Sequence, residues 1–240
     1  MSNDPDAAVE IRTLILTPLA ATVPAPTIRA VREVRVILIG GASGVGKSTT
    51  ARSLAARLGW DCISTDRLAR HPGRPWTVNP RQDPVPDHVL RHYRALSVEE
   101  LATRLLRHYE QLWPTVEALI LSHASDPGST RLILEGSAIL PDGVAALPTG
   151  NVAAMWLTAA PGVLADRIRA LSRLEEADHD EQALVRKFIA RTVRYEQIIL
   201  GAVARHGLPA IQVAAGSTTD DLVERCLQVA DLSQRSRWTR

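Results

Sequence analysis

The stretch Gly41-Ala42-Ser43-Gly44-Val45-Gly46-Lys47-Ser48 constrains this chain more than any other feature. It satisfies G-x-x-x-x-G-K-[ST] in full, and its surroundings are those the motif requires. Val36-Ile37-Leu38-Ile39 before it is a continuous apolar run, which predicts a strand buried on both faces of a parallel sheet. Lys47 to Leu58 after it carries Ala51, Leu54, Ala55 and Leu58 at helical spacing, with Gly59 as the stop. Glycines let successive backbone N–H groups turn inward on phosphate oxygens, and the helix N-terminus adds positive potential. The motif therefore predicts that Gly41, Ala42, Ser43, Gly44, Val45, Gly46, Lys47, Ser48 and Thr49 bind nucleotide phosphates. Lys47 would reach the β- and γ-phosphates, and Ser48 would ligate Mg²⁺. Lys47 and Lys187 are the only lysines among 28 basic residues, and arginine's planar fork would fit a phosphate slot differently.

Strand-like and helix-like segments alternate beyond the motif. Asp61–Ser64, Leu132–Leu134, Val152–Leu157 and Ala210–Val213 read as strands. Pro161–Leu174, with the stripe Leu164, Ile168 and Leu171, reads as a helix, as do Glu181–Arg205 and Asp220–Ala230. Ser97-Val98-Glu99-Glu100 is a capping box opening another helix, which Pro114 is expected to kink or split. This alternation predicts an α/β fold with a parallel sheet and helices on both faces. Residues 1–34 are punctuated by Pro5, Pro18, Pro24 and Pro26 and read as an extended arm; residues 35–240 read as the main domain. Within it, 70–125 is a substrate-side insertion, irregular over its proline-rich first third, and 170–195 is a candidate lid.

Composition excludes some classes. The net charge of +2 is too small to argue for nucleic acid. No apolar run is long enough to cross a membrane, and the N-terminus carries Asp4, Asp6 and Glu10 where a signal peptide would be positive. Cys62 and Cys226 make no disulfide framework, and the histidines have no metal-ligand spacing. A cytoplasmic protein is the expectation; its oligomeric state is not readable.

Two carboxylates stand at the carboxyl ends of expected strands, the edge where ligands bind in such sheets. Asp66 follows Ser64-Thr65, with a helix N-cap as its ordinary alternative. Glu135 closes Leu132-Ile133-Leu134 ahead of Gly136, with a surface acid as its alternative. Both are candidates, with Ser48, for organising Mg²⁺ and the substrate.

The combination Gly-Gly-Ala-Ser-Gly-Val-Gly-Lys-Ser-Thr, Ser-Thr-Asp and Leu-Glu-Gly resembles small-molecule P-loop kinases of the nucleoside-monophosphate-kinase fold. It is most similar to 2-phosphoglycerate kinase-like proteins and more distantly to zeta-toxin and chloramphenicol phosphotransferase-type kinases. The likeness runs from about residue 35 to 230. It implies a three-layer P-loop NTPase fold with a five-stranded sheet in the order 2-3-1-4-5, a lid after the fourth strand, and Asp66 as the acid that handles the acceptor hydroxyl. It also implies ATP rather than GTP, and no Asn-Lys-x-Asp guanine-reading motif stands against that.

Arginines complete the expectation. Arg169 and Arg173 share a helix face and are catalytic candidates for closing over phosphate. Lys187, Arg191 and Arg194 form a second stripe. Arg67, Arg70, Arg74, Glu135 and Arg191 are candidates for holding the acceptor, which would be a small hydroxyl compound, anionic or ring-bearing. The rival readings are a nucleoside or nucleotide kinase with Trp76 or Tyr93 stacking on a base, and a nucleotide-sensing regulatory or adaptor protein. A carboxylate after the second strand serves an acceptor and has no clear use in a sensor.

Overall fold

In the computed structural model, residues 34–68, 73–77, 84–148 and 150–235 are described. The expected arm 1–34 lies outside them except for Val34, which is buried in the main apolar core, and Arg70 lies outside them too.

Five strands, β1 (Val36–Gly40), β2 (Asp61–Ser64), β3 (Leu132–Glu135), β4 (Val152–Ala159) and β5 (Ala210–Val213), form one parallel sheet. Their order is β2-β3-β1-β4-β5. The core strands β1 and β3 are buried along their whole length, as their unbroken apolar runs require. Helices α1 (Lys47–Leu58) and α7 (Thr219–Arg235) pack together on one face, and α3 (Val98–Ser125) and α6 (His179–Arg205) pack together on the other. Register aligns the carboxyl ends: Ile39 pairs with Glu135, Ser64 with Glu135, and Gly40 with Trp156. That edge carries the loop Gly41–Gly46.

Two expectations on the inserted region need correction. Pro114 does not split its helix, since α3 runs 28 residues through it. Its ring sits on the exposed side, where the Glu110 carbonyl left without a donor can turn to water. The proline-rich stretch also yields α2 (Asp87–Ala95), which starts directly after Pro86. The Ser97–Glu100 capping box forms as expected.

A second apolar core lies apart from the sheet, made by Trp76, Val89, Tyr93, Leu96, Leu101, Ile168, Leu174, Leu184, Val185 and Phe188. It binds α2 to α6 and to the end of α5 (Pro161–Ser172). The candidate lid 170–195 is made of the last turn of α5, a single 3₁₀ turn at Leu174–Glu176 and the first half of α6. Leu174, Leu184, Val185 and Phe188 anchor it in this core.

Candidate active site

Gly41 has a φ of 133°, and a Cβ there would strike the Leu157 carbonyl, so only glycine lets the loop turn this close to β4. Lys47 is buried, and its Nζ donates to the Ala42 carbonyl at 2.7 Å, within its own loop. Burial pulls its ammonium below the ordinary lysine value, opposed by the charges of Glu135 and Asp66. Ser48 Oγ donates to Glu135 Oε1 at 3.0 Å.

Glu135 is only 3% exposed, so it is no surface acid. The next residue, Gly136, adopts a φ of 151° with Thr65 where a Cβ would stand, and this presses the end of β3 against the turn after β2. Asp66 lies in that turn. It does not serve as the N-cap of the 3₁₀ segment Thr65–Arg67; the Ser64 hydroxyl does, accepting the Asp66 N–H. The Asp66 carboxylate is therefore free of capping work and exposed.

These groups meet in a single cavity of about 630 Å³. Ser43, Gly44, Gly46, Lys47, Ser48 and Thr49 line it from the phosphate loop and the start of α1, Asp66 and Glu135 from the carboxyl ends of β2 and β3, and Arg74, Tyr109 and Phe188 from outside the sheet. Arg67 is exposed and does not line it.

Among the arginines the structure selects differently from the sequence reading. Arg169 pairs with Asp166 at 2.8 Å and Arg173 with Glu176 at 3.9 Å, both at the surface and neither on the cavity wall. The cavity residue of α5 is Arg167, whose Nη1 donates to the Val45 carbonyl at 2.9 Å. The reason is helix phase. The buried face of α5 is Leu164, Ala165, Ile168 and Ser172, whereas Leu171, expected inside, is 51% exposed and turns with Arg167 and Ala170 to the cavity. Arg52 also lines the cavity and had no signal beyond its place on α1.

On α6 the basic stripe divides by task. Lys187 caps α2, donating to the carbonyls of Tyr93 at 2.8 Å and Leu96 at 2.9 Å. Arg194 pairs with Glu99 at the surface. Arg191 is buried, with Nη2 3.3 Å from the Tyr93 hydroxyl and its guanidinium 4.3 Å over the Phe188 ring.

Sequence reasoning missed Glu196. It is buried on α6 and accepts the Ala159 N–H at 3.1 Å, with the Ala42 N–H also holding its charge. Burial nonetheless raises its carboxyl above the ordinary value. It ties α6 to the start of the phosphate loop and to the end of β4. The available signal was a set of polar residues, Arg191, Thr192 and Glu196, on the same helical stripe as Leu184, Phe188, Tyr195 and Ile199.

Trp76 and Tyr93 lie inside the second core at 4% and 2% exposure, so neither offers a ring face to a base. Among the described residues no helix is long and apolar enough to cross a membrane, and no cluster of three or more His, Cys, Asp or Glu could hold a metal ion alone.

The family profile described as AAA domain matches residues 37–185. No curated protein matches the sequence. Solved structures similar in fold include a gluconokinase from Sinorhizobium meliloti 1021, at 16% identity and a TM-score of 0.49, covering 85% of this chain and 95% of that one. A shikimate kinase from Acinetobacter baumannii, bound to shikimate, has 15% identity and a TM-score of 0.44, covering 85% and 96%. A sugar kinase from Janibacter sp. HTCC2649 has 17% identity and a TM-score of 0.42, covering 84% and 97%. None of their chemistry transfers to this chain at such depth.

Proposed function

This chain belongs to the AAA domain family, and from that premise we propose that it is an ATP- and Mg²⁺-dependent phosphotransferase acting on a hydroxyl of a small molecule. The observation that carries the reading is the cavity itself: the phosphate loop opens onto Asp66 and then into a side-chain-lined chamber, within one space of about 630 Å³. A sensor needs the first part and has no use for the second. The finer affinity to 2-phosphoglycerate kinase-like proteins is part of the same proposal.

The donor set suits Mg²⁺. Ser48 and Glu135 present two hard oxygens 3.0 Å apart at the loop, and a cation that keeps waters and phosphate oxygens needs only one or two such ligands from protein. When bound, Mg²⁺ would neutralise charge on the β- and γ-phosphate oxygens.

The chain's own residues divide the remaining work. Lys47, now bonded to the Ala42 carbonyl, exchanges that acceptor for a phosphate oxygen and stabilises charge on the transferred group. Arg167, already against the Val45 carbonyl, is the arginine placed to join it. Asp66 accepts the proton of the acceptor hydroxyl as its oxygen bonds to the γ-phosphorus. The bond from that phosphorus to the bridging oxygen breaks, and the nucleoside diphosphate leaves with the electron pair. Glu135 holds Ser48 in place throughout.

The test is product analysis with γ-labelled ATP and a panel of small hydroxyl compounds. Label in a small molecule, lost in Asp66→Asn, supports the reading. Tight nucleotide binding with no labelled small molecule across a broad panel favours the sensor.

A further inference from the structure

We infer that Glu196 is a positioning residue for the transfer step: its buried carboxylate fixes Ala42 of the phosphate loop, and through Ala42 the place from which Lys47 reaches the γ-phosphate. Glu196 does not line the cavity, so this role, which rests on the phosphotransferase reading, adds to it a residue that acts through another.

The carboxylate sits where two strands part. The β1–β4 ladder ends with Gly40 opposite Trp156; β1 then gives way to the phosphate loop at Gly41, while β4 runs on to Ala159. Past that point the N–H groups of Ala42 and Ala159 need acceptors from outside the ladder. Glu196 serves both strands: Oε1 accepts the Ala159 N–H at 3.1 Å, and the Ala42 N–H also supports its charge. The other end of Ala42 holds Lys47, whose Nζ donates to the Ala42 carbonyl at 2.7 Å. One residue is thus gripped from both sides, its N–H by Glu196 and its carbonyl by Lys47.

Fold stability does not account for this carboxylate. Glu196 is 3% exposed, and its Oε2 is buried with no hydrogen-bond partner. Among the described residues no Lys, Arg or His forms an ion pair with it. Burial pushes its carboxyl up, against the two N–H groups and the more distant charge of Lys47. Glutamine would fill the same space without a buried charge. It would also place an NH₂ where the carboxylate offers a second acceptor, so only one of the two N–H groups would keep its partner. The residue before it on α6 works on the same loop at one remove. Tyr195 donates to the Ser137 carbonyl, and Ser137 Oγ donates to the Gly41 carbonyl at 3.0 Å. Consecutive residues of α6 therefore brace Gly41 and Ala42, and a loop so braced has its N–H groups and its ammonium in place before nucleotide arrives.

The test compares the full-length wild type with Glu196→Gln and with Thr192→Val, a control on the same helix. Thr192 is buried one turn away, and its hydroxyl has no partner. Glu196→Gln is expected to unfold at or above the wild-type midpoint, which separates lost positioning from lost folding. Its Ala42 amide resonance should move in ¹⁵N-labelled protein, and that amide should exchange about tenfold faster. A non-hydrolysable ATP analogue with Mg²⁺ should bind about fivefold more weakly by calorimetry. Release of inorganic phosphate to water from saturating γ-labelled ATP, which needs no acceptor, should slow about tenfold in kcat. Thr192→Val should match the wild type in the Ala42 signal, the analogue's affinity and phosphate release.

An Ala42 signal and a phosphate release in Glu196→Gln equal to those of the wild type overturn the role. So do equal losses in Thr192→Val, which would assign the effect to the packing of α6, and a midpoint in Glu196→Gln well below the wild type, which would assign the carboxylate to the fold. A wild type that binds the analogue and releases no phosphate counts instead against the phosphotransferase reading, and the Ala42 signal and the analogue's affinity then decide the role of Glu196.

Discussion

At its phosphate end the cavity is lined by one continuous segment that runs from the loop after β1 into the start of α1; at its far end it is lined by residues from α3, α6 and the segment 73–77. The first wall needs glycine at fixed spacings and a helix start, so its chemistry is written locally in eight residues. The second has no local signature, because Arg74, Tyr109 and Phe188 come from distant parts of the sequence and meet only in the folded chain. The phosphate end rests on the main sheet core. The far end rests partly on the main core, through Tyr109, and partly, through Phe188, on a smaller core that joins short α2 to α6 through the Lys187 cap and a few aromatic contacts.

The largest expected effects fall where the two ends meet. Asp66→Asn should lower phosphoryl transfer by about 10²–10⁴-fold while leaving nucleotide affinity nearly unchanged by titration calorimetry. Lys47→Ala should lower transfer by about 10²–10³-fold and weaken nucleotide binding as well. Equal turnover in Asp66→Asn and the wild type would remove that residue from the chemistry.

Next come the cores. Leu134→Ala in β3 should cost about 2–5 kcal/mol of global stability by denaturant titration, because Leu134 is wholly buried between two helical layers. Leu184→Ala, in the second core, should show most of its effect as faster amide exchange in α2, which opens below the global unfolding energy. Exchange in α2 as slow as in β1 would erase the distinction between the two ends. The smallest effect is Ser97→Ala, which removes the capping box of α3 and should cost about 1 kcal/mol.

Legibility follows the same division. The phosphate loop and the limits of α1 and β5 agree with the sequence reading, because each is set by short-range apolar runs and glycine stops, whereas the strand order agrees with what the kinase resemblance implied. Arg167 escaped it because Leu171, an apolar residue at helical spacing, drew the expected buried stripe toward the cavity face. Glu196 escaped because its partners, Ala159 and Ala42, lie far away in sequence. Helix α2 escaped behind its prolines, although Pro86-Asp87 is an ordinary helix start.

The most direct test is a crystal structure with a non-hydrolysable ATP analogue and Mg²⁺. The account predicts the terminal phosphate at Lys47 and Ser48, facing Asp66 across a chamber that remains open to Arg74, Tyr109 and Phe188. A terminal phosphate facing bulk solvent, or a chamber closed off from it, would contradict the account.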